Sequence, residues 1–144
     1  MEELQNSLTY HIINHISNYM KSWVAQYAIK TAKGSNYPHF RHGAVTECGG
    51  RILTKKPNIS KSCTPDASMS THAEIATIKQ LQSKRRLLST KKPVNLYVAR
   101  VSPKGNVVLS YPCEKCLAAI MASGIIDTVF YSTNDGLWDS IQIG

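Results

Sequence analysis

The 144 residues, 42% hydrophobic and 18% charged, suffice for one hydrophobic core. Residues 1–144 are therefore expected to form a single domain, with a helical N-terminal region at 1–33. No stretch of about 18 apolar residues occurs, so no membrane partner is expected. The opening Glu2-Glu3 lacks the basic-then-apolar layout of a secretory signal, which points to a cytoplasmic or nuclear address. The formal net charge of +8 favours anionic partners such as nucleotides or nucleic acid, without choosing between them.

Along residues 4–33, Leu8, Ile12, Ile16, Tyr19, Trp23 and Tyr27 recur at helical spacing. This predicts one long helix, or two joined near Met20, with the aromatic stripe packed into a core. Gly34 to Pro38 ends it. Gly43–Cys48 and Arg51–Lys55 read as strands joined at Gly49-Gly50, a hairpin signal. Pro57 to Ser70 is a polar loop. Ser70 or Thr71 is placed to cap a helix that carries Ile75, Ile78, Leu81 and Leu87 or Leu88 toward the core. The run from Lys79 to Lys92 holds six Lys and Arg and reads first as a solvated helix end, second as a surface for a polyanion.

Val94–Val101 is apolar and β-rich, as a buried strand should be. After the Gly105-Asn106 turn comes Val107–Leu109. A helix runs from about Cys113 to Ser123 and closes at Gly124. Asp127–Ser132 is a strand, and Leu137–Ile143 is a candidate for another. Only Thr133 to Gly136 separates the two, too few residues for a parallel crossover, so if they pair they are antiparallel. The pattern is an α/β sandwich, a mixed sheet with helices on its faces.

Two short segments carry chemistry: Thr71-His72-Ala73-Glu74 and Pro112-Cys113-Glu114-Lys115-Cys116, each at a predicted helix start. Zn²⁺ takes thiolate and imidazole in a tetrahedral array, and a catalytic site keeps a fourth position for water. Cys113 and Cys116, three apart on a helix's first turn, can face one point, with His72 supplying nitrogen from the other helix. The positive end of that helix favours thiolates. Zinc bound there lowers the pKa of its water. Glu74, close to the metal but not a ligand, is placed to carry protons. A lone Cys-x-x-Cys would be weak, since structural zinc sites and redox pairs share it. A structural site would want a fourth ligand, for which Cys48, Cys63 or His42 is available. Cys48 reads better as a small buried apolar residue, and Cys63 has no settled role.

In these motifs the chain resembles the cytidine deaminase-like superfamily, whose pattern is His (or Cys)-x-Glu followed by Pro-Cys-x-x-Cys. The resemblance covers about 100 residues, from Tyr37 to Gly136, and includes Gly43-Ala44-Val45, the Gly-containing hairpin and Asn58. It implies a three-layer α/β/α sandwich with a mixed five-stranded sheet, a zinc cofactor and a homo-oligomer, dimer or tetramer. It further implies that Asn58 contacts the sugar or orients the base, and that the Ala73 backbone bonds the base edge. The Cys113 N–H would face the reacting centre and Tyr111 would line the substrate.

Subfamily signals conflict. Tyr37-Pro38-His39-Phe40 ahead of Gly43-Ala44 is similar to the Tyr-Ser-x-Phe-x-x-Gly-Ala of free-nucleoside cytidine deaminases, as is the short antiparallel ending. Those enzymes usually begin the metal motif with Cys and follow its last Cys with Arg-Gln, where this chain has His72 and Leu117-Ala118. His72-Ala73-Glu74 is closer to deoxycytidylate and transfer-RNA adenosine deaminases, which need room for a further C-terminal helix. Leu109-Ser110-Tyr111 does not match the Ser-Trp-Ser of cytosine-editing polynucleotide enzymes. The readings rank as follows: hydrolytic deamination of a free cytosine nucleoside or nucleotide; deamination of cytosine or adenine within RNA or single-stranded DNA; a non-catalytic zinc-stabilised binding or scaffold subunit. Glu74 argues against the last.

Overall fold

A computed structural model describes residues 19–60, 70–84, 86, 88 and 92–144. In chain order the elements are α1 (Ser22–Lys33), β1 (Arg41–Cys48), β2 (Arg51–Pro57), β3 (Ile59–Ser60), β4 (Ser70–Thr71), α2 (Ala73–Ser83), β5 (Val94–Val101), β6 (Val107–Val108), α3 (Glu114–Ser123), β7 (Ile126–Ser132) and β8 (Trp138–Gln142). The main sheet runs β2-β1-β5-β7-β8, with the short β6 attached to β5. Among the described residues only β5 and β7 are parallel; the pairs β1–β2, β1–β5 and β7–β8 are antiparallel. The short return from Ser132 to Trp138 permits nothing else, and Gly136 (φ 77°) makes its turn. No helix among the described residues is long and apolar enough to cross a membrane.

Strand alternation divides the core between two faces. Ala44 of β1 and Leu96 and Val98 of β5 point to the side covered by α2 and α3, where they meet Ile78, Leu81 and Ile120. Val45, Tyr97, Ala99 and Val101 point to the opposite side, against Val24, Ala25, Ala28 and Ala32 of α1. Helix, sheet, helix: the three layers and the mixed sheet are those expected of the deaminase-like fold.

Of the N-terminal stripe, Leu8, Ile12 and Ile16 lie outside the described residues; α1 opens at Ser22, just past the expected join near Met20, and Tyr27 packs against the core as expected. Tyr19 and Trp23 are 62% and 51% exposed, while the buried face is alanine and valine. The reason is Gly43. A Cβ there would lie 2.6 Å from Ala28 O and 2.8 Å from Ala32 Cα, so α1 lies on β1 at backbone distance and only small side chains fit between. Gly43→Ala should push α1 off the sheet and cost about 1–3 kcal/mol, as overpacking does. The measurement is a lower urea midpoint at unchanged slope.

Where α1 begins, a buried polar cluster ties it to the sheet. Glu47 is fully buried; it accepts from Gly50 N (2.7 Å) and Asn95 Nδ2 (3.1 Å) and pairs with Lys21 Nζ at 3.0 Å. Lys21 N donates to Tyr97 Oη at 2.8 Å; burial pushes that phenol up to about 12. Glu47→Ala strands three donors at once and should lower stability by about 3 kcal/mol, read in the same unfolding experiment.

Other differences are local. The expected helix cap at Ser70 or Thr71 is not formed: those two residues are β4, and His72, in extended conformation, is the N-cap of α2 without a side-chain cap. Ile75 is half-buried, Leu88 lies beyond the end of α2 and packs on the core from there, and Leu87 lies outside the described residues. Cys48 closes β1 as a buried residue, as read, with its thiol 3.8 Å from Lys92 O. Cys63 lies outside the described residues, as do Arg85 and Lys91 of the basic run; Lys79, Arg86 and Lys92 are exposed.

Candidate active site

Two helix starts make the site. His72 and Cys113 are the N-caps of α2 and α3, both extended (ψ 137° and 165°). The carbonyls of both accept the first helical bonds, from Ala76 N and Leu117 N. Their side chains are thus held at the points where the chain turns into each helix. One turn on, Cys116 is fully buried beneath them. His72 Nδ1 lies 3.2 Å from Cys116 Sγ and 3.9 Å from Cys113 Sγ, and the three donor atoms fall within 4.8 Å of one another.

These distances test the metal. Tetrahedral zinc with bonds of about 2.0 Å to nitrogen and 2.3 Å to sulfur separates those donors by about 3.6 Å, and the two nitrogen–sulfur distances bracket that value. Nδ1 is the atom turned to the sulfurs, so the ring proton belongs on Nε2 when a metal is held. Without a cation, burial pushes the Cys116 thiol well up, and the Glu74 carboxylate and Cys113 push the same way. A divalent cation removes that penalty. One imidazole and two sulfurs with no further Cys, His or carboxylate in the cluster among the described residues fit a zinc site with a position open for water.

Glu74, the second residue of α2, is 5% exposed and stands outside the ligand set. A cavity of about 220 Å³ opens beside it, lined by Tyr37, Phe40, His42, Asn58, His72, Ala73, Glu74, Tyr111 and Cys113. All the residues singled out from sequence are therefore here, apart from Cys116, which sits beneath. Asn58 is buried and turned mostly to backbone: Oδ1 accepts from His42 N at 2.8 Å and Nδ2 donates to Phe40 O. It fixes the segment that forms one wall. Tyr111 is half exposed and meets Tyr131 edge to face, with centroids 5.2 Å apart. That wall was not found from sequence: Tyr37, Phe40 and His42 line it, although Tyr37-Pro38-His39-Phe40 was the signal that could have found it. His42, weighed only as a fourth ligand, stands outside the metal cluster. Burial lowers its pKa, Arg100 and His72 act the same way, and Glu74 opposes them.

A sequence profile for the cytidine and deoxycytidylate deaminase zinc-binding region matches residues 18–133. The chain belongs to this family. Among solved structures, it is similar to cytidine deaminase from Burkholderia pseudomallei (TM-score 0.65, 13% identity, covering 88% of this chain and 94% of that one). It is also similar to dCMP deaminase from the cyanophage S-TIM5 (0.51, 20%, 82% and 90%) and to cytidine deaminase from Mycobacterium tuberculosis (0.50, 21%, 77% and 84%). At these identities the likeness is one of fold. No curated protein sequence matches the chain. Family, fold and His/Cys/Cys cluster together make the protein a zinc-dependent hydrolase of the deaminase type.

Proposed function

We propose that the protein hydrolyses the exocyclic amine of a free cytosine nucleoside or nucleotide, giving the uracil compound and ammonia. The observation that carries this reading is a buried carboxylate outside the His72/Cys113/Cys116 cluster, Glu74, lining the same cavity as His72 and Cys113. Zinc, when bound, supplies the Lewis acid that makes water a nucleophile at neutral pH. Glu74 takes the proton of the attacking water and delivers protons to the ring nitrogen and to the departing amine. The carbon–oxygen bond forms first as the ring nitrogen is protonated, the carbon–nitrogen bond then breaks as ammonia leaves, and no redox partner is required. The Ala73 backbone and the Cys113 N–H hold the base edge and reacting centre, Asn58 shapes the wall against the sugar, and Tyr111 covers the mouth. Neutral His42 adds a donor or acceptor to that wall.

A second substrate class is favoured by a separate observation. Phe40 and Tyr111, at 54% and 52% exposure, set two open rings at the cavity mouth of a chain with net charge +8, as single-strand binders do. Ammonia release from cytidine, deoxycytidine, their monophosphates and a short cytosine-containing single strand separates the two. Turnover of a monomer supports the proposal. Turnover of the strand alone, with steep salt dependence, moves the activity to polynucleotides.

A further inference from the structure

Behind one wall of the cavity stands a charge, Arg100, that does not itself line it. Arg100 of β5 stands directly across from His42 of β1 in the antiparallel register, two residues beyond Val98 and so on the same face of the sheet as the cavity. Its guanidinium carbon lies 5.2 Å from the centroid of Phe40, and both Phe40 and His42 are walls of the cavity. Its Nε is buried without a hydrogen-bond partner, and no carboxylate among the described residues pairs with it. The neighbouring Arg41 also has an unpartnered Nε, but its Nη2 is engaged, donating to Ser102 O at 2.7 Å.

A half-buried guanidinium with an unused N–H is costly unless an anion reaches it. The forked donors of arginine match phosphate oxygens in particular, and a ring beneath the guanidinium fixes its plane. With the base set against Glu74 and the metal ligands, as the proposed reaction requires, the Phe40–His42 wall is left for the sugar. We infer that Arg100 recognises a phosphate group on the substrate's sugar, so that phosphorylated cytosine compounds are preferred to the bare nucleoside. This rests on the proposed deaminase reading for the identity of the base, but not for the phosphate contact.

The test uses product-side ligands, which need no turnover. Zinc-loaded wild type, Arg100→Gln and Arg100→Lys are titrated calorimetrically with uridine, uridine monophosphate and a short uridine strand without terminal phosphates. The monophosphate should bind about tenfold or more tighter than uridine, as expected of a charge-assisted contact. Arg100→Gln should bring the two together, and Arg100→Lys should retain part of the difference. Equal affinity in the wild type, or a preference that survives Arg100→Gln, overturns the inference. If only the strand binds in an Arg100-dependent way, the contact stands and its phosphate is a diester. Should Arg100→Gln not fold, Arg100→Lys decides, since it keeps the charge and loses the fork: an unweakened preference overturns the inference. Failure of the two readings looks different. Equal turnover of cytidine and its monophosphate sinks the phosphate contact alone, whereas Arg100-dependent nucleotide binding without ammonia release sinks the deaminase reading alone.

Discussion

Glu74→Gln should keep its zinc and its fold while losing ammonia release by about 10³-fold, within the range that positioned general acid–base groups supply. Glutamine has the same size and can keep hydrogen bonds at this buried position, yet it cannot accept and return a proton. Glu74 lies outside the His72/Cys113/Cys116 cluster, so metal content should not follow activity. That separation distinguishes a proton carrier from a ligand. It also distinguishes an enzyme from a zinc-stabilised scaffold, in which the carboxylate would be dispensable. The readouts are metal analysis, melting temperature and initial rate on one preparation. Loss of zinc together with rate would make Glu74 a ligand instead.

Cys116→Ala should behave in the opposite manner, losing zinc, rate and stability together. Cys116 is fully buried under the two helix starts, and its sulfur is 3.2 Å from His72 Nδ1. Without it the cluster keeps two donors, His72 and Cys113, among the described residues. Deamination should fall by about 10³-fold or to background, since the nucleophile is then no longer generated at neutral pH. A metal held at about a thousandfold above its dissociation constant contributes about 4 kcal/mol to the folded state. Stripping the wild type with a chelator should therefore lower its melting temperature by roughly 10 °C, and the same treatment should leave Cys116→Ala unmoved. A chelator-insensitive wild type would separate the metal from the fold.

The parts of the site legible in the sequence were those written in local spacing. His72-x-Glu74 and Cys113-x-x-Cys116 place ligands and carboxylate within one helical turn, and the antiparallel β8 followed from too short a connection. What was missed is set by contacts across the sheet. Helical periodicity put Tyr19 and Trp23 in the core, but Gly43, far off in sequence, brings α1 so close to β1 that Ala28 and Ala32 occupy that face and the rings turn outward. The expected cap at Ser70 or Thr71 gave way because the ligand His72 itself takes the N-cap position. His42 and Arg100 face each other only through the β1–β5 register, which no linear pattern announces. The outer wall of the cavity is thus the part that sequence leaves dark, and it is also where substrate preference would be decided.

The most direct test of hydrolytic deamination is turnover of the best cytosine compound in water enriched in heavy oxygen, with mass analysis of the product and parallel measurement of ammonia. The account predicts a uracil product carrying one solvent oxygen, formed in step with ammonia, by zinc-loaded protein and not by the chelated form. Ammonia without solvent oxygen in the product, or equal formation by the metal-free protein, would contradict it.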